Sequence, residues 1–423
     1  MKLPLILLIL LLSNNLVAKN PDLIVNQKEI NRFIDVLKII KKNYIYEIDD
    51  KKAIDDALGG LLSGLDPHSV YYSKDAYLDV LDRVSGEYGG LGIDISVIDG
   101  KLRVIKIIKD SPSELAGLKL DDNIIEINGK NIFGMTLSNI KSMIKGDVGT
   151  FVDLKVIREE FDDNSFANSK ILDFKIERKI VKIENIEYKN FKNDVLYLKI
   201  NNFSDSSYKD IFDVLKNNSS MRGMILDVRD NGGGLLDQAI KISDGFLYSG
   251  EIVSIKYKDS SSGIKKYNVS GSSFINKNIP VVLLINNYSA SSSEILAGAL
   301  KDNKRAILVG KTTFGKGSVQ NIIPLKDGDA VKVTTALFYT PNDLMIQGNG
   351  VTPDIDIDDL IIKDLRNSGT GEVKNENELE KVANNQTIVN ENPDVIDGED
   401  RIDDLQLYIG KQILGFEMSK VKR

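Results

Sequence analysis

Apolar residues recur along this chain with three different periods. Between residues 26 and 82 the spacing is three and four. Ile30, Phe33, Ile34, Leu37 and Ile40 share one helical face, and Ala57, Leu58, Leu61 and Leu62 repeat the pattern. The stretch closes on Leu65-Asp66-Pro67-His68-Ser69, a turn. Residues 84–160 alternate instead, with short strands expected at 102–108, 123–127 and 151–158 and a hairpin at Asn128-Gly129. A short helix over 111–118 is stopped by Gly117. From 171 to 358 short continuous apolar runs predict buried strands at 223–228, 280–285 and 306–309. Helices over 235–246 and around 294–300 alternate with them. This pattern predicts a multidomain α+β and α/β chain: a helical amino-terminal region, a small β-domain and a layered α/β core.

Both ends of the chain read differently. Met1 and Lys2 precede an apolar run over 3–12, broken by Pro4 and followed by Ser13 to Ala18. About ten apolar residues suit a secretory signal over 1–18 better than a membrane span of roughly 20. An uncleaved anchor is the alternative. Export is expected, to the periplasm or the periplasmic face of the inner membrane. Residues 367–400 are rich in Asn, Glu, Asp and Lys and read as a solvated linker. A helical tail over 401–423, with Leu405-Gln406-Leu407-Tyr408-Ile409 as its amphipathic start, is expected to dock back on the body.

Composition narrows the chemistry. Of 423 residues, 42% are hydrophobic and 28% charged, with a net charge of −7, so a general nucleic-acid binder is not expected. There is no cysteine and one histidine, His68. Thiolate catalysis, cysteine-ligated zinc, disulfides and two-histidine metal sites are therefore excluded, and no cofactor or metal is expected. Beside Pro67 in a turn, His68 reads more readily as a hydrogen-bonded structural residue than as a catalytic one. A hydrolase built from this chain needs another base.

Two segments offer chemistry. In Gly89-Gly90-Leu91-Gly92-Ile93 the glycines let backbone N–H groups converge on a ligand. With 110–128, Asp-Ser-Pro-Ser through to Ile-Asn, this loop resembles a PDZ domain, whose carboxylate-binding nest captures a chain terminus added at a sheet edge. In Asn286-Asn287-Tyr288-Ser289-Ala290-Ser291-Ser292-Ser293-Glu294, serines stand between a buried strand and a helix start. They could be plain N-caps, or present a nucleophile beside free helix N–H groups. Gly310-Lys311-Thr312-Thr313-Phe314-Gly315-Lys316-Gly317 nearly spells a phosphate-binding loop, but Gly317 replaces the metal-binding hydroxyl and a strand follows, so nucleotide binding is not expected. A buried lysine here would lose its proton more readily and could accept one from a serine, with Gln320 as a hydrogen-bond partner.

Together these segments resemble the carboxyl-terminal processing peptidases, or tail-specific proteases, of serine peptidase family S41, over roughly residues 28–358. The resemblance rests on residues 65–69, the PDZ signature, Asp-Val-Arg-Asp-Asn-Gly-Gly-Gly-Leu-Leu at 227–236, the serine stretch, and Thr-Phe-Gly-Lys-Gly-Ser-Val-Gln at 313–320. It implies a crotonase- or Clp-protease-like core with Ser291 as nucleophile, Lys316 as general base and Gln320 as its orienting residue. It also implies an oxyanion hole from the N–H groups of Ser292 and Gly233, and substrate tails held at Gly89, Gly90, Leu91, Gly92 and Ile93. Ser289 or Ser293 is the alternative nucleophile. Partners implied are protein substrates bound by their tails, an activator or adaptor, and a second copy of the chain. A catalytically inactive PDZ scaffold is the alternative function.

Overall fold

The computed structural model describes residues 26–161, 167–258, 263–271, 273–358 and 404–421. The expected signal (1–18) and linker (367–400) lie outside the described residues. Contacts divide the chain into two units, Met1–Gly64 and Leu65–Arg423. In the first, α1 (Gln27–Asn43) starts on the Asn26 side chain, which accepts from the Lys28 N–H, and carries Lys41 and Lys42 in its last turn. The helix α2 (Asp50–Ser63) is capped likewise by Asp49. No residue of α1 is buried among the described residues.

The second unit begins with β1 (Val70–Tyr72), α3 (Lys74–Ser85) and β2 (Glu87–Gly90). The β-domain follows as β3 (Ile93–Ile98), β4 (Lys101–Ile107), α4 (Pro112–Leu115), β5 (Asn123–Ile127), β6 (Lys130–Asn131), α5 (Leu137–Ile144), β7 (Phe151–Phe161) and β8 (Ala167–Glu177). Its sheet runs β3-β4-β5-β7-β8, leaving β3 on an edge, around a core of Leu91, Val104, Ile127, Ile140, Val152 and Val156. Strands β7 and β8 pair along their whole length, so residues 171–177, read from the sequence with the core, belong to this sheet. Local alternation shows a strand but not its partner. The strand β9 (Lys179–Lys182) pairs antiparallel with β2 and leads out of the domain.

The core comprises β10 (Ile186–Phe191), β11 (Val195–Ile200), α6 (Ser207–Asn217), β12 (Gly223–Asp227), α7 (Leu236–Phe246), β13 (Glu251–Tyr257), β14 (Ile264–Asn268), β15 (Val281–Ile285), α8 (Ser292–Asp302), β16 (Ile307–Gly310), β17 (Ser318–Pro324), β18 (Ala330–Tyr339) and β19 (Ile355–Asp356). After the long excursion comes α9 (Leu405–Val421). The main sheet runs β10-β11-β12-β15-β16-β19, parallel from β11 onward. Every residue of β12 and β15 is buried, as expected of parallel strands covered on both faces. On one face Leu226, Leu283, Ile285 and Leu308 pack with Ile242, Phe246 and Leu296 of α7 and α8. On the other, Ile225, Val282, Leu284 and Val309 pack against Ile413, Leu414 and Met418 of α9. This last helix is largely covered, with even Gln406 and Lys411 buried. A second sheet, β1-β18-β13-β14 with β17 on β18, brings the strand after the 65–69 turn onto the core, Val70 facing Lys332.

Candidate active site

The parallel strands deliver three loops to their carboxyl ends, where open α/β sheets place their ligands. The loop after β15 turns back on itself at Asn286, whose side chain accepts from the Tyr288 N–H, and ends at Ser291 immediately before α8. Ser291 has φ 56° and ψ −111°, a conformation that costs a non-glycine residue about 1–3 kcal/mol. Of the candidate serines, Ser289 is fully buried and its Oγ donates to Val228 O (2.8 Å), while Ser293 is fully buried and donates to Asn231 O (2.9 Å). Only Ser291 stays partly accessible. The Ser292 hydroxyl donates to Gly234 O (3.0 Å), tying the serine turn to the glycine turn.

The glycine turn, 230–234, follows β12. The Ala290 N–H donates to Asn231 O (2.9 Å), and the Asn231 side chain donates to Ile200 O (2.7 Å). Gly233 has φ 101°, and a Cβ built there would lie 2.8 Å from the Ser291 Cβ and 3.0 Å from the Ser292 nitrogen. Gly233 thus abuts the serine turn, where only glycine fits. Its own N–H, however, is donated to Asn231 Oδ1 (2.8 Å). Ser292 opens α8, so its N–H has no acceptor within the helix.

Lys316 lies between β16 and β17 and is half-buried. Among the described residues it forms no ion pair. Burial, then repulsion from Lys332, holds its ammonium below the usual lysine range, against the opposing pull of Glu294. His68 is likewise held low, by burial and by the nearby Lys316 and Lys332 charges, so the 65–69 turn adjoins the same site. Asp66 fastens that turn by accepting from the N–H groups of His68 (2.7 Å) and Ser69 (2.9 Å), and Ser69 Oγ accepts from Thr334 N–H (3.3 Å). Thr334 is the register partner of Gln320. The Gln320 amide donates to Ser318 Oγ (2.6 Å) and Ser318 O (3.1 Å). No hydrogen bond joins Gln320 to Lys316, or Lys316 to Ser291, in this arrangement of the described residues.

Sequence reasoning missed Glu294 as a site residue. It is fully buried, and its Oε2 accepts from both the Ser291 N–H (2.7 Å) and the Lys316 N–H (2.8 Å). Its Oε1 accepts from Gly315 N–H (2.6 Å) and Thr313 Oγ1 (2.7 Å). One carboxylate therefore sets the backbone of both catalytic candidates. Burial raises its pKa, and these four donors work against the rise. Ser291-x-x-Glu294 is a recognisable capping pattern, but nothing in it foretells partners 19 to 22 residues downstream.

The tail-binding candidates gather at the amino end of β3. Gly89 and Gly90 close β2, Leu91 is fully buried, and Gly92 turns the chain at φ 77° into Ile93. Leu91 and Ile93 share a core with Ile140 and Ile144 of α5, so the loop, the free edge of β3 and α5 adjoin. Gly89 O accepts from Gly146 N–H (3.1 Å) just beyond α5.

Fold and site together define a PDZ domain joined to an α/β hydrolytic core with a serine turn and a lysine loop. Family models agree: residues 89–177 match the PDZ domain and residues 194–357 match peptidase family S41. A carboxy-terminal-processing protease of Bartonella bacilliformis is 35% identical over 93% of this chain and 89% of its own length. The carboxy-terminal processing protease CtpA of Bacillus subtilis is 33% identical over 75% of this chain, which spans 66% of that relative. Among solved structures, a photosystem II D1 C-terminal processing protease aligns with 24% identity over 79% of this chain and 94% of its own, at a TM-score of 0.44. The chain belongs to the carboxy-terminal processing proteases of peptidase family S41, serine-type endopeptidases.

Proposed function

We propose that this protease cleaves exported proteins through Ser291 and Lys316 after its PDZ domain has taken up the substrate's carboxyl terminus. The observation that carries the reading is Glu294, whose single oxygen holds the backbones of both residues. With its pKa lowered by burial, Lys316 supplies a free amine to accept the Ser291 Oγ proton as that oxygen attacks the scissile carbonyl. The Ser292 N–H stabilises the resulting oxyanion, and a second donor comes from the glycine turn. Gly233 fills that role once its N–H leaves Asn231. The amine then returns the proton to the departing nitrogen, and water hydrolyses the acyl-enzyme. Gln320 orients the amine after it leaves Ser318, so the present geometry is a resting one that binding must realign. By family resemblance, tail capture at residues 89–93, or an activating partner, drives that step. The apolar run at the start of the chain supports export to the periplasmic side; among the described residues no helix is long and apolar enough to cross a membrane.

The test uses wild type, Ser291→Ala and Lys316→Ala against one unstructured protein with either an apolar or a charged carboxyl-terminal tail, read by intact mass. Cleavage by wild type alone, faster with the apolar tail, is expected. Undiminished cleavage by Lys316→Ala would sink the mechanism. Tail binding with no acylation of wild type by a serine-reactive probe would favour an inactive scaffold.

A further inference from the structure

The carboxyl-terminal helix does more than cover the sheet. At its first turn, Asp404 accepts two hydrogen bonds from Arg229, from Nη1 at 2.9 Å and Nη2 at 2.7 Å. Gln406 Oε1 also accepts from Arg229 Nη1 (3.3 Å), while Gln406 Nε2 donates to Ile357 O (2.9 Å). The other side of the guanidinium donates to Asp227, and Tyr197 Oη donates to the same carboxylate at 2.8 Å. Asp227 and Gln406 are fully buried, and Arg229 is nearly so. A buried acid and base at the carboxyl end of β12 are thus joined to a half-buried acid 175 residues further along the chain.

A buried ion pair of this kind is weak evidence of stabilisation, because apolar side chains of similar volume often hold a structure as well. Its placement suggests another use. Arg229 immediately precedes the glycine turn. Asp230 exchanges hydrogen bonds with Asn286, its N–H donating at 3.0 Å and its carboxylate accepting at 2.8 Å. Asn231 O receives the Ala290 N–H and the Ser293 hydroxyl, and Gly233 rests against Ser291. The path from Asp404 to the Ser291 turn therefore runs through the hydrogen bonds to Arg229, the backbone of 229–233, and the hydrogen bonds and close approach of that backbone to the serine loop. We propose that Asp404, through Arg229 and Asp227, is a positioning residue that fixes the glycine turn against Ser291, making the carboxyl-terminal segment part of the catalytic apparatus. This rests on Ser291 being the nucleophile.

The test measures kcat and KM on a tailed substrate for full-length wild type, Asp404→Asn, Asp404→Glu, Met418→Ala and Ser291→Ala. Folded, competent sites are counted by labelling to completion with a fluorophosphonate, and melting temperature is recorded. Asp404→Asn keeps the shape but removes the charge; its kcat per labelled site is expected to fall about 10- to 100-fold with KM within twofold, since small misplacements cost that much. Asp404→Glu is expected to recover part of the loss. Met418→Ala loosens the same helix elsewhere, so it should lower the melting temperature and leave kcat per labelled site unchanged. The proposal fails if Asp404→Asn keeps wild-type kcat per labelled site, or if Met418→Ala loses as much as it does. Cleavage retained by Ser291→Ala would instead remove its premise, a result visible without reference to the Asp404 variants.

Discussion

At the scale of single residues the site is organised by a buried carboxylate rather than by contact between nucleophile and base. Glu294→Gln retains the volume but turns an acceptor of four donors into an amide, half of which repels them. Its kcat is expected to drop about 100-fold, comparable with losing one oxyanion donor, with tail affinity unchanged. The check is steady-state kinetics beside peptide binding. Lys332 bears on the other half of the chemistry. It stands on β18 two residues from Thr334, the partner of Gln320, and repels the Lys316 ammonium, while Glu294 attracts it and His68 shares the neighbourhood. A base must be unprotonated, so activity rises with pH through the Lys316 pKa. Removing the Lys332 charge lets Lys316 hold its proton to higher pH. The acid limb of kcat/KM in Lys332→Gln should therefore move upward, and that in Lys332→Arg should stay. A limb unmoved in Lys332→Gln would show that burial alone tunes the amine.

At the scale of elements, the loop proposed to receive substrate tails is wedged between a strand and a helix end. A Cβ at Gly90 would lie 2.6 Å from the Tyr88 ring, and one at Gly89 would lie 2.2 Å from Gly146 O. Arg178, the last residue before β9, donates to the carbonyls of Ile144 (2.9 Å) and Met143 (2.8 Å) at the end of α5. Hydrogen bonds thus tie the loop, α5 and the strand leaving the domain together. Gly90→Asp adds both bulk and a negative charge at the proposed entry of the tail carboxylate. Peptide affinity and turnover are both expected to fall at least tenfold, about 1.4 kcal/mol each. Calorimetric titration with a tail peptide and turnover of the matching substrate measure the two. Turnover preserved while affinity falls would show that the PDZ domain binds without gating.

At the scale of the whole molecule, the catalytic sheet needs residues from the far end of the chain. Leu414 is fully buried on the face opposite α7 and α8, and a Cβ at Gly223 would come within 3.1 Å of it. Leu414→Ala should cost about 2–5 kcal/mol of stability, a loss plus a cavity. Equilibrium denaturation in urea gives the number; a change under 1 kcal/mol would mean that α9 is loosely held.

How far the sequence reads depends on the range of the physics involved. Periodicity marked β12, β15 and β16 to within a residue or two, because burial on both faces demands short unbroken apolar runs. Residues 89–93, the serine stretch and the lysine loop were legible for a similar reason: tight turns and helix starts have local chemistry. Which of three serines stays accessible was not legible, since Ser289 and Ser293 are disarmed by carbonyls of Val228 and Asn231, some 60 residues away. Nor were the roles of Glu294, which binds the lysine loop, and Asp404, which binds Arg229. By itself the sequence determined the buried parallel strands and the residue types available for chemistry, both set by short-range sterics and burial. The tertiary structure alone decided which groups meet and which hydroxyl is free, because those outcomes depend on hydrogen bonds between segments that only folding brings together.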